Sequence, residues 1–203
     1  RHQIETRQPI KKRLWQLTVQ AKIKNQANLL TKYGIENERL SALIKKVKSG
    51  DPQNIEAQAA RFYWPRIFGK KFRRDRRGSP PNNFLNYGYM ILRAAVARSL
   101  VSSGLLPTLG IHHCNRYNAY CLADDVMEPF RPFVDLTVLK VLEKFDAVED
   151  LTPKIKKVLL GTLTQTVSYK DQTRPLMIGL HQTTASIYRC FSGEQKTIDY
   201  PVL

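Results

Sequence analysis

Apolar residues recur every three or four positions over most of the chain, the spacing of one buried face of an α-helix. Leu14, Leu17, Ala21 and Leu29 mark that face among Lys, Gln and Arg from about residue 10 to 32, and Gly34 follows as a terminator. Residues 37–48 predict a second, short helix ended by Gly50. Asp51-Pro52 supplies an N-cap and a first-turn proline for a third helix through Ala57, Ala59, Ala60 and Phe62, bent or ended by Pro65. Residues 69–81 form a basic loop. Asn82 or Asn83 then caps a long helix through Leu85, Met90, Leu92, Ala95 and Val96, closed by Ser102-Ser103-Gly104. After a loop at 105–118, residues 120–144 read as a helix with Val126, Phe130, Val134 and Val138 inward, kinked or interrupted by Pro129 and Pro132. A short helix at 153–160, an extended piece at 164–169 and a helix at 174–191 complete the pattern. With no internal repeat and no low-complexity linker, a single all-α helical domain over residues 1–203 is the simplest architecture.

Composition narrows the partners. Of 203 residues, 42% are hydrophobic and 9% aromatic, enough for a core and too many for a disordered basic tail. No run approaches the roughly 18 consecutive apolar residues of a membrane span. The chain opens with neither a methionine nor a signal peptide, which predicts a piece of a longer protein. Cys114, Cys121 and Cys190 include no C-x-x-C pair, so neither a disulfide framework nor a zinc site is indicated, and a reducing cytoplasm is the default compartment.

Charge adds a location. Lys and Arg outnumber Asp and Glu by 33 to 17, a net of +16, which points to a polyanionic partner. Residues 61–80 hold eight bases (Arg61, Arg66, Lys70, Lys71, Arg73, Arg74, Arg76, Arg77) against Asp75, and these are the candidate phosphate contacts. Lys11, Lys12, Arg13, Lys22 and Lys24 fit a soluble lysine-rich helix face equally well. Between residues 121 and 150 the sign reverses, with eight acids against three bases. Glu143 to Asp150 read as a solvated face with ordinary i,i+4 pairing.

The first acids of that stretch read in two ways. Asp125 and Glu128, three apart on the predicted helix, share a face within reach of one cation. His113 and Glu56 are further candidate ligands, and Glu56, among alanines and Phe62, needs exposure or a partner. Such a set suits Mg²⁺ or Mn²⁺. The same residues fit exposed acids and an ordinary loop histidine. Asp124 projects about 100° away from Asp125 around the helix, and Arg131 is placed to pair with a carboxylate of the cluster. Phe62 and Trp64 read as core.

Four stretches decide between these readings when taken together. They are Ile55-Glu56-Ala57-Gln58-Ala59-Ala60-Arg61-Phe62-Tyr63-Trp64, Asn82-Asn83-Phe84-Leu85-Asn86-Tyr87-Gly88-Tyr89-Met90, Gly110-Ile111-His112-His113 and Leu122-Ala123-Asp124-Asp125-Val126-Met127-Glu128-Pro129-Phe130-Arg131-Pro132. In this order they resemble the Cas one endonuclease and integrase family of CRISPR adaptation, with wording most like its type II branch, over essentially the whole chain.

The resemblance implies a helical C-terminal catalytic domain, preceded in full-length members by a small β-rich domain that mediates dimer contacts and is not visible in these residues. It implies a metal site of Glu56, His113, Asp125 and Glu128, with His113 preferred to His112 because it ends the family's Gly-x-x-His pattern. It implies a divalent ion, Mg²⁺ or Mn²⁺, and joining of DNA 3′-OH ends to a repeat array in the prokaryotic cytoplasm. Implied partners are double-stranded DNA, a second copy of the chain, the Cas two protein and other type II CRISPR proteins, with no membrane. A casposon-type integrase and a non-catalytic helical DNA-binding module are the alternatives.

Overall fold

The computed structural model of the chain describes residues 1–145, 149–170 and 172–203. Its scaffold is α2 (Gln8–Lys32), preceded by the short α1 (His2–Glu5) that the periodicity missed. Trp15, Val19, Ile23, Leu29 and Leu30 of α2 are at most 1% exposed, so this helix runs through the core and not along its surface. It ends as the pattern predicts. Gly34, at φ 67, turns the chain back so that Ile35 N–H reaches Leu30 C=O at 2.9 Å.

Around it pack α3 (Glu38–Lys46), α4 (Ile55–Ile67) and α7 (Arg131–Lys144), while α5 (Asn82–Ser102) lies against α7, α6 (Cys121–Met127), α8 (Pro153–Leu160) and α9 (Leu176–Ser192). One contiguous set of buried side chains joins these helices. The described residues hold a single two-stranded antiparallel sheet, β1 (Thr166–Tyr169) with β2 (Gln172–Pro175), so the all-α expectation holds. The second strand displaces the expected start of the last helix from Arg174 to Leu176.

Three boundaries differ from the sequence pattern for identifiable reasons. Asp51 does not cap α4. Asn54, in the left-handed region, is the N-cap and accepts from Ala57 N–H at 3.2 Å, while the Asp51 carboxylate reaches past it to Ile55 N–H and Glu56 N–H at 2.8 and 3.0 Å. Pro65 does not stop α4, which continues to Ile67. Asn82 does not cap α5 but points back into the basic loop, accepting from Asp75 N–H at 2.8 Å and donating to Arg73 C=O at 3.0 Å. The expected interruption of the 120–144 helix is present: it divides into α6, a 3₁₀ turn (Glu128–Phe130) and α7 at Pro129 and Pro132. Of the acids expected on a solvated face, Asp146 lies outside the described residues; Glu143 accepts from Tyr33 Oη at 2.9 Å.

Helix α5 seats closely on α7. A Cβ at Gly88 would come within 2.4 Å of Val134 Cγ1, so only glycine allows this approach. That contact fixes the frame carrying the 3₁₀ turn.

Candidate metal centre

Four separate elements bring their side chains to one place. Glu56 comes from the first turn of α4, Asp125 from α6, Glu128 from the 3₁₀ turn and His113 from the loop before α6. Asp125 is fully buried and organises that loop. Its Oδ2 accepts from Ile111 N–H at 2.7 Å and His112 N–H at 2.9 Å, and its Oδ1 from His113 N–H at 3.2 Å and His113 Nδ1 at 2.5 Å. With Nδ1 committed to Asp125, Nε2 is the ring nitrogen left to bind a ligand. The hydrogen bond to Asp125 raises the His113 pKa, against the opposing effect of burial, and Glu128 and Glu56 add to the rise.

Trp15 backs both histidines. Its ring stacks on His112 at 4.1 Å and 3°, and meets His113 edge-on at 5.8 Å and 84°. His112 is thus held on the indole, away from the Asp125 carboxylate. Gly110 is needed for the same turn, because a Cβ there would lie 2.2 Å from His113 C=O and 2.8 Å from Asp125 Oδ2.

Between the two glutamates stands a lysine. Lys22 Nζ donates to Glu56 Oε1 at 2.5 Å and to Glu128 Oε2, with its side chain 11% exposed. Burial, the largest influence on Lys22, pulls its pKa down, but Glu128 and Glu56 outweigh it and the net shift is upward. Burial likewise pushes Glu128 up, and Arg131 with Lys22 brings it below the usual carboxylate range. Both groups are therefore held in their charged forms. Arg131 Nε lies 2.9 Å from Glu128 Oε1, an ion-pair distance without hydrogen-bond alignment, so this buried N–H has no partner.

Among the described residues no three His, Cys, Asp or Glu side chains stand in the arrangement of a metal cage. The donor set nonetheless fits a hard divalent ion, because the protein itself places a cation, the Lys22 ammonium, between Glu56 and Glu128. Asp124 points elsewhere, as its helical position predicts, and pairs with Arg93 at 2.5 Å.

Residues 1–166 match the family model for the CRISPR associated protein Cas1. The chain belongs to the Cas1 family. It is 44% identical over 172 residues to the CRISPR-associated endonuclease Cas1 of Neisseria meningitidis serogroup C (strain 8013), covering 84% of this chain and 56% of that protein. It is 30% identical over 208 residues to a second Cas1 endonuclease, from Francisella tularensis subsp. novicida (strain U112), covering 90% of this chain and 65% of that one. The chain thus spans a little over half to two thirds of these relatives. Among solved structures, its fold matches a Cas1 protein from Thermotoga maritima with a TM-score of 0.77 at 20% identity, covering 92% of this chain and 67% of that one. It also matches a casposase bound to integration product with a TM-score of 0.76 at 21% identity, covering 93% and 66%.

The basic residues of this Cas1 chain divide into two kinds. Arg61 and Arg66 are exposed and, with Arg39, line a hollow of about 370 Å³. Arg66 lies 3.5 Å and Arg39 5.5 Å from the centre of the buried Phe62 ring. Lys70, Lys71, Arg73, Arg76 and Arg77 are exposed on the loop before α5. Arg74 is turned inward, donating to Asn82 Oδ1 at 3.0 Å and Asn86 Oδ1 at 2.6 Å, and is tied into the loop's own structure. Trp64 packs with Phe68 and Phe72, as a core position would.

Sequence reasoning missed Lys22, Trp15 and Arg39. A signal for Lys22 was present: Trp15, Val19, Lys22, Gln26 and Leu29 follow helical spacing, so this lysine falls on the core-facing stripe and not on the soluble face.

Proposed function

We propose that this chain is the catalytic part of a metal-dependent DNA endonuclease and integrase that joins 3′-OH ends of captured DNA to a CRISPR repeat array. The observation that carries the reading is the convergence of Glu56, His113, Asp125 and Glu128, from four elements distant in sequence, in a protein with a net charge of +16. Family membership and the naming of the relatives as CRISPR-associated endonucleases support it.

Of the four expected ligands, Glu56, Glu128 and His113 Nε2 would hold Mg²⁺ or Mn²⁺, while Asp125, whose oxygens are taken by the 111–113 loop, orients the imidazole from behind instead of binding the ion. When bound, the ion supplies Lewis acidity toward a scissile phosphodiester and stabilises charge developing at the phosphorus. Asp125 keeps the Nδ1 proton facing its own carboxylate, so the ring cannot turn. Arg131 holds Glu128 from the side opposite Lys22. Arg61, Arg66 and the exposed bases of the 70–77 loop bind DNA phosphates and set its position, so shape and charge outweigh base readout. The nucleophile is the 3′-hydroxyl of the incoming DNA; water in its place gives nuclease activity.

In this reading the full protein works with the Cas2 protein, a pairing supported by the Cas6-RT-Cas1–Cas2 assemblies of matching fold; its action as a homodimer and with other type II CRISPR proteins is part of the same proposal. The curated relatives favour this over a casposon-type reaction.

The test is a joining assay with the full-length protein, its Cas2 partner and a leader-repeat substrate in Mn²⁺ or Mg²⁺. Glu56→Ala and His113→Ala are expected to abolish joining while leaving DNA binding intact. Unchanged joining in both variants would remove these residues from the reaction and favour a non-catalytic DNA-binding role for the cluster.

A further inference from the structure

One charged group at the centre has no part in the reaction described above. Lys22 is on α2, on the helix face that enters the core, and reaches two carboxylates that arrive from α4 and from the 3₁₀ turn. We propose that Lys22 is a tethered stand-in for the divalent ion: its ammonium holds Glu56 and Glu128 together in the metal-free protein, and metal loading is an exchange that displaces it. The inference rests on the reading of these glutamates as ligands.

Charge makes the case for the first half. Glu56, Asp125 and Glu128 bring three carboxylates to one site, and the cations bonded or paired to them from neighbouring elements are Lys22 and Arg131, with His113 on Asp125. Without Lys22, the buried Glu128 would have only the misaligned Arg131 against it, and Glu56 would face it unpaired. Like charges in that position, one buried and one half-buried, repel and drive the elements apart. The lysine therefore keeps α4 and the 3₁₀ turn in register before any metal arrives.

Geometry makes the case for the second half. Both oxygens of Glu128 are engaged, Oε2 by Lys22 and Oε1 by Arg131, so an ion that takes Glu128 must displace one of them. Arg131 is the less able to move. Its guanidinium lies 4.7 Å over the Tyr89 ring and is planar and fixed by that stacking. Lys22 is a point charge on four rotatable methylenes, and it also occupies the Glu56 oxygen that the same ion would use. A single movement of Lys22 frees both ligands.

It follows that this site binds its metal more weakly than its donors alone would allow, in return for staying assembled when empty. The experiment is a titration of the full chain with Mn²⁺ alone, free Mn²⁺ being read by electron paramagnetic resonance, together with thermal denaturation with and without the ion. Lys22→Met is expected to bind Mn²⁺ tighter by roughly tenfold or more, since a unit charge a few ångströms away has been removed. Its metal-free melting midpoint is expected to fall by roughly 10 °C, and Mn²⁺ to restore more of that midpoint than it adds to the parent protein. Lys22→Arg, which keeps the charge, is expected to bind no tighter than the parent. If Lys22→Met loses its helical circular dichroism, Lys22→Gln carries the same expectation. Mn²⁺ affinity in Lys22→Met and Lys22→Gln equal to or below that of the parent overturns the exchange. Glu56→Gln separates the two levels: if it weakens Mn²⁺ binding while the Lys22 variants leave it unchanged, only the exchange fails. If Glu56→Gln has no effect, the ligand reading fails and the exchange with it.

Discussion

Asp125 and His113 are joined through both main chain and side chain: one carboxylate oxygen, Oδ1, takes the His113 backbone N–H at 3.2 Å and its ring Nδ1 at 2.5 Å. The second oxygen takes the two preceding backbone N–H groups. All of the carboxylate's acceptor capacity is thus spent on one tetrapeptide, and Asp125 serves as the template on which the Gly-x-x-His loop is wound.

Asp125→Asn is expected to be costly because its amide nitrogen must face N–H donors. Two or more buried groups lose a partner, at about 1–3 kcal/mol each, and the imidazole is released. Thermal denaturation should show the loss of stability, and the joining assay a larger loss of activity than stability alone explains. A variant of parental stability and activity would remove the templating role.

Gly110→Ala tests the same turn by sterics alone. The added methyl meets the His113 carbonyl at 2.2 Å, a backbone atom that cannot yield without moving the ring. A loss of about 1–3 kcal/mol is expected in a denaturant titration, with weakened Mn²⁺ binding, whereas a surface change of this size is close to neutral.

Much of this site was legible from residue order. Glu56, His113, Asp125 and Glu128 were identified because their flanking residues form recognisable words, and the helices around them because Leu, Val and Phe recur at 3.6-residue spacing. What was not legible follows from side chains that act against type. Lys22 reads with its soluble neighbours because lysine is seldom buried without partners, and its partners come 34 and 106 residues later in the chain. Asn82 and Asn83 both read as caps because asparagine favours caps, but the helix already includes them, and Asn82 stitches a loop instead. Neither long-range pairing leaves a trace in local periodicity.

Asp135 provides a pH test away from the metal ligands. It is buried on α7, accepts from Tyr63 Oη at 2.8 Å and from Tyr89 Oη, and burial raises its pKa from 3.8 to about 6 despite those bonds and the nearby Arg131 and Arg74. The folded chain therefore holds this proton over a pH range where the unfolded chain releases it. The resulting stabilisation is fully present below pH 3.8 and is lost as pH rises through about 6. Asp135→Asn, neutral throughout, should remove this dependence, so that its melting midpoint gains on the parent's as pH rises from 4 to 7. The swing is on the order of 3 kcal/mol at most. A constant difference between the two proteins across that range would refute the assignment.

Arg61 and Arg74, both counted among candidate phosphate contacts, should separate. Arg61 is exposed, and Arg61→Ala is expected to weaken DNA binding alike on all sequences and to reduce the salt slope of log K by about 0.9. Arg74 is bonded to Asn82 and Asn86, so Arg74→Ala should lower the melting midpoint and leave the salt slope nearly as it was. Filter binding at several salt concentrations, with a parallel melt, distinguishes them.

Asn25 ties the turn that carries Glu128 to residues far along the chain. On α2, one turn beyond Lys22, its Nδ2 donates to Pro129 C=O at 2.8 Å within the 3₁₀ turn and to Pro201 C=O at 3.0 Å, and its Oδ1 accepts from Leu203 N–H at 3.1 Å. The turn that presents Glu128 is thus fastened to residues translated some seventy positions later. A nascent chain that has already released all four candidate ligands from the ribosome still lacks this fastening. The Asn25 amide acquires its full set of partners only once residues 201–203 are in place, so the buttress behind the turn that carries Glu128 depends on these distant residues as well as on α2.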